Sequence, residues 1–60
     1  MKVIIDIPNV IHKEVKCYNK IECLEIYSEW IINYDKDLGS CYGVHIGNRT
    51  NCDNGYIEII

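Results

Sequence analysis

The chain opens on a short apolar run, KVIIDI, from Lys2 to Ile7, rich in β-branched residues. Such a run reads as a strand, and its near-continuous apolar character predicts a central, buried one. Pro8 ends it, because proline offers no N–H to the ladder. Beyond it, Val10, Ile11, Val15 and Tyr18 fall at helical spacing. Proline also suits the first turn of a helix, so the stretch from Pro8 to Tyr18 is expected to be a short helix.

The middle segment, KIECLEIYSEWIINYDKD, carries two patterns at once. Leu24, Ile26, Trp30, Ile32 and Tyr34 share one parity, as in a strand. Glu22, Glu25, Glu29 and Asn33 recur three or four apart, as in one polar stripe on a helix. On a strand these glutamates would fall on both faces, because Glu22 has opposite parity to Glu25 and Glu29. The helix is therefore preferred, from about Lys20 to Asp35, with a strand as the alternative. Its acidic N-terminal end suits the helix dipole. Gly39, within DLGS, is available for a left-handed stop.

CYGVHIG, from Cys41 to Gly47, alternates like a strand. NRTNCDNG is turn-rich, and Asn54-Gly55 is a two-residue turn signal. YIEII, from Tyr56 to Ile60, reads as a last strand. The order β, α, α, β, β predicts an α+β fold, a small three-stranded sheet with one or two helices on one face. No repeat or linker divides the 60 residues, so one domain is expected over residues 1–60.

Length sharpens the problem. A 60-residue domain buries only about 60% of the surface that its unfolded chain exposes, so small scaffolds add disulfides, a metal or a partner. Four cysteines offer such a staple, spaced Cys17-x5-Cys23 and Cys41-x10-Cys52. The opening MKVIIDIPNV is interrupted by Asp6 and Pro8, unlike a secretory signal, and no run reaches membrane-span length. The expected location is a host cytoplasm, where disulfides are rare. Structural zinc held by Cys17, Cys23, Cys41 and Cys52 therefore ranks first, free thiols second and disulfides third. His45, three residues beyond the Cys41 side of the ribbon, is a competing ligand, and His12 ranks after it. The gaps are longer than the two to four residues usual in zinc pairs.

No catalytic set stands out. Glu22 beside Cys23 is the one base a catalytic zinc would find, and a cysteine paired with His45 lacks an orienting third group. The expectation is a protein that is not an enzyme. The net charge of −3 and the absence of a basic patch disfavour direct nucleic-acid or anionic-membrane binding. Glu22, Glu25, Glu29, Asp35 and Asp37 form either a solvated face or an acidic docking surface for a basic protein. Trp30 is expected in the core.

MKVIIDIP followed by an expected helix resembles a run found in small proteins of bacterial viruses and prophages, over about the first fifteen residues. The whole chain is similar in kind to small phage anti-CRISPR proteins, some of which carry zinc. That resemblance implies an inhibitor that binds an RNA-guided DNA nuclease and blocks its loading with DNA. It implies no particular binding residue. The alternative expectation is a small zinc-stabilised regulatory or adaptor module on a transcription complex.

Overall fold

A computed structural model describes residues 1–46 and 49–60, and the side chains of residues 43–46 lie outside that description. Among the described residues, five strands form one antiparallel sheet: β1 (Lys2–Ile7), β2 (Ile11–Lys16), β3 (Cys41–Ile46), β4 (Arg49–Cys52) and β5 (Tyr56–Ile59). The order across the sheet is β2-β1-β5-β4-β3. Two helices, α1 (Lys20–Asn33) and the single turn α2 (Asp35–Leu38), carry the chain from the β2 edge to the β3 edge. The architecture is α+β, with a sheet of five strands where three were expected.

The first added strand replaces the expected helix after Pro8. Pro8 and Asn9 form a tight turn instead, closed by the Val10 N–H donating to the Ile7 carbonyl at 2.9 Å. Asn9 has φ +68°, and proline followed by a residue at positive φ is the type II arrangement. The turn brings Ile11 opposite Ile7 and Val15 opposite Val3. Ile11 and Val15 are four apart, which suits either period, and the free edge of β1 decides for the strand. β2 then ends the sheet with His12, Lys13, Glu14 and Lys16 exposed, which discourages further pairing along that edge.

The second added strand is β4, expected as a turn-rich link. Its Thr50 and Cys52 face the core, and Thr50 is paired in register with Ile57. The Thr50 hydroxyl hydrogen-bonds to the Tyr27 hydroxyl of α1, which satisfies a buried polar group. The two-residue connection to β5 is Asp53-Asn54, one position earlier than expected, closed by the Cys52 N–H on the Gly55 carbonyl at 2.9 Å. At Gly55 a Cβ would stand 2.2 Å from the Asp6 carbonyl oxygen, so only glycine lets β5 start beside the end of β1.

Asn19 starts α1, its side chain accepting the Glu22 N–H at 2.9 Å. Cys23 and Trp30 face the sheet, with Ile26, Tyr27, Ile31 and Tyr34 packed beside them. They meet Val3, Ile5 and Ile7 of β1 and Ile57 and Ile59 of β5 in one core. β1 is an interior strand, as its composition suggested, and even its outward-facing Ile4 is largely covered. Leu38 of α2 is fully buried, and each such side chain contributes about 1.5–3 kcal/mol through burial. Gly39, with φ +76°, ends α2.

The other sheet face is polar and internally matched. Lys2 meets Glu14 at 2.8 Å, and His12 lies between Asp6 and Glu14 at 3.7 and 3.5 Å. Arg49 stacks on Tyr56, 3.7 Å from the ring centre. The Lys2 ammonium, donating to Glu14, holds that carboxyl below its ordinary range.

Candidate functional site

The cysteines separate into two pairs of different chemistry. Cys41 and Cys52 face each other across β3 and β4 and are joined as a disulfide. Cys17 and Cys23 are free, buried thiols where the end of β2 meets the first turn of α1. The expected four-cysteine zinc tetrahedron is corrected here: a ligand sulfur must be a thiolate, and Cys41 and Cys52 bond each other. Among the described residues no three His, Cys, Asp or Glu side chains gather to hold a metal. The side chain of His45, the competing ligand, lies outside the described residues. His12 is exposed on the polar sheet face, among carboxylates rather than thiols. The expected reading of the thiols failed because strand register, not spacing along the chain, selects cysteine partners.

A cleft of about 900 Å³ opens between the C-terminal half of α1, α2 and the β3–β4 ribbon. Tyr27, Ile31, Lys36, Tyr42, Thr50 and Asp53 contribute to its walls. Its hydroxyls are engaged with neighbours: Tyr27 with Thr50, and Tyr42 donating to Asp53. Asp53 also accepts the Ser40 N–H at 3.0 Å, and the Asn54 amide donates to the Asp37 carbonyl at 3.2 Å. These bonds stitch the β4–β5 turn to α2, so the cleft is a fixed corner of the fold.

The outer face of α1 is different. Ile21, Leu24 and Ile32 are 71%, 46% and 76% exposed. With Ser28 they run at spacings of three, four and four, which is one stripe along a helix. Glu25 and Glu29 flank the stripe in full exposure and Glu22 is half-buried, while Asp35 and Asp37 stand exposed on α2. The expected acidic residues are therefore at the surface, in a row on α1 and a turn beyond it. Trp30 is in the core.

Sequence reasoning placed the glutamates and missed the stripe beside them. A signal was present. Eight of the fourteen residues of α1 are apolar or aromatic, more than one core-facing stripe about 100° wide takes up.

Uncharacterized protein 9 of Sulfolobus islandicus filamentous virus (isolate Iceland/Hveragerdi) is 41% identical to this chain over 68 aligned positions. The match spans 100% of this chain and 99% of the viral protein. The chain belongs to the family of that viral protein. The viral origin expected from the opening residues agrees with this kinship. No family model matches the chain, and no solved structure matches it. No helix of the described residues is long and apolar enough to cross a membrane.

Proposed function

We propose that this viral protein acts by binding another protein through the outer face of α1. The observation that carries the reading is the exposed stripe of Ile21, Leu24 and Ile32 on a helix whose inner face already fills the core. A contiguous apolar stripe rimmed by charge is a common mark of a docking surface. The rim defines the partner. Glu25 and Glu29 favour an apolar groove edged by lysine or arginine, and they steer such a partner at low salt. A second copy fits poorly, because antiparallel pairing of two α1 helices lays each acidic flank against its own copy.

The narrower form of the proposal is an inhibitor of the anti-CRISPR kind. In that form the helix occupies the basic groove of an RNA-guided nuclease and blocks its loading with DNA. Viral kinship and the acidic rim support it. The test compares the chain with an Ile21→Lys/Ile32→Lys variant in capture from a host extract, with partners identified. Both positions are solvated, so the variant keeps its fold to within about 0.5 kcal/mol. Recovery of one basic nuclease by the parent alone, weakened by salt, is the expected result. Recovery of polymerase components instead would move the reading to a transcription adaptor. Equal recovery by both chains would end the assignment to α1.

A further inference from the structure

We propose that Cys17 and Cys23 are a second oxidisable dithiol, closing to a disulfide that ties the first turn of α1 to the end of β2. Both side chains lie in the core cluster, and the Cys23 side chain is within hydrogen-bonding range of the Cys17 sulfur. Each is held by its own backbone. The Cys17 N–H donates to the Met1 carbonyl at 2.8 Å, and the Cys23 N–H donates to the Asn19 carbonyl at 3.2 Å. The connection between them carries Tyr18, 95% exposed, and the capping Asn19, and is otherwise anchored only at its ends.

Exposure assigns the two roles. Cys17 is 7% exposed and Cys23 is fully buried, so an incoming oxidant meets Cys17 first. The oxidant is a small organic disulfide. The Cys17 thiolate attacks one of its sulfurs, the S–S bond breaks, and one small thiol leaves as the mixed disulfide forms. Cys23 then loses its proton and attacks the Cys17 sulfur, and the second small thiol leaves. Two protein thiols lose two electrons and two protons, and the organic disulfide is reduced to two thiols. Burial pushes the Cys17 thiol up to about 11, with the neighbouring Cys23 and Glu22 adding to the effect. Little thiolate therefore exists near neutral pH, and closure is slow there and faster as pH rises toward that value.

The experiment treats the full chain, with Cys41–Cys52 intact, with cystamine under native conditions. Aliquots are quenched in acid, unfolded, alkylated and weighed, and the peptides are mapped. The expected result is loss of both alkylatable thiols and a single new Cys17–Cys23 peptide link, formed faster at higher pH. Cys23→Ala is expected to stop at one cystamine adduct on Cys17. Two thiols still alkylatable in the parent chain, a stable adduct on Cys17 in that chain, or exchange with Cys41 or Cys52 would each overturn the proposal. The parent chain decides the matter even where the variant does not fold.

Discussion

Replacing Cys41 and Cys52 together by alanine removes a cross-link between residues 11 apart in sequence. The two strands remain in register partnership through their backbones, so the main effect falls on the unfolded chain, which regains the freedom of an open loop. For a loop of that length the chain-entropy relation gives about 3 kcal/mol at 25 °C. Lost burial adds little, because Cys41 is exposed and Cys52 lies at the edge of the core. A domain of this size holds about 3–9 kcal/mol in all, so the loss is a large share of its stability. The assay is urea unfolding of parent and variant, followed by circular dichroism. With a slope near 1–1.5 kcal/mol per molar, the midpoint falls by about 2–3 M. Reducing agent added to the parent chain should reproduce the shift. An unchanged midpoint at unchanged slope would refute the reasoning, for it would mean that the unfolded chain is not constrained by this bond.

Gly55→Ala places a Cβ 2.2 Å from the Asp6 carbonyl, so thermal or urea unfolding should show a loss of about 1–3 kcal/mol, the usual cost of overpacking. In nuclear magnetic resonance titration the Glu14 carboxyl should titrate below the ordinary range, and Lys2→Met should raise it back. The stability tied to that carboxyl is present above its ordinary pKa and is lost as pH falls through the lowered one. The Cys17 thiol has the opposite sign: the unfolded chain releases its proton near 9 and the folded chain near 11. Stability should therefore be full below pH 9 and decline between these values, as compared by urea midpoints at pH about 8 and about 10.5, and Cys17→Ala should flatten the decline.

Where one period dominated and burial agreed with it, the fold was legible in the residues. KVIIDI became an interior strand, Glu22, Glu25 and Glu29 rode one side of α1, and Tyr56 to Ile59 closed the sheet. β2 was hidden because Ile11 and Val15 satisfy both periods, and because Pro8 serves a helix start and a turn equally well. The decisive partner, the edge of β1, is tertiary. β4 was hidden because Arg49, Thr50 and Asn51 carry no strand pattern of their own. Thr50 becomes a core residue only through the Tyr27 hydroxyl, 23 residues away in sequence. The acidic part of the candidate surface was visible as a spacing of glutamates. Its apolar half was not, since no local rule says which of the isoleucines on a mostly apolar helix the sheet will leave uncovered. The cysteine partners were beyond reach for a related reason. Cys41 meets Cys52 through a register that only the assembled ribbon sets.

The account stands most directly on where a partner touches the molecule. A photo-reactive residue placed at Leu24, on the outer face of α1, is compared with one at Glu58, on the polar face of the sheet, in host extract at low and high salt. The account predicts a single cross-linked product rich in lysine and arginine from position 24, diminished by salt, and none from position 58. Equal labelling from both positions, or a product from position 58 alone, would contradict it.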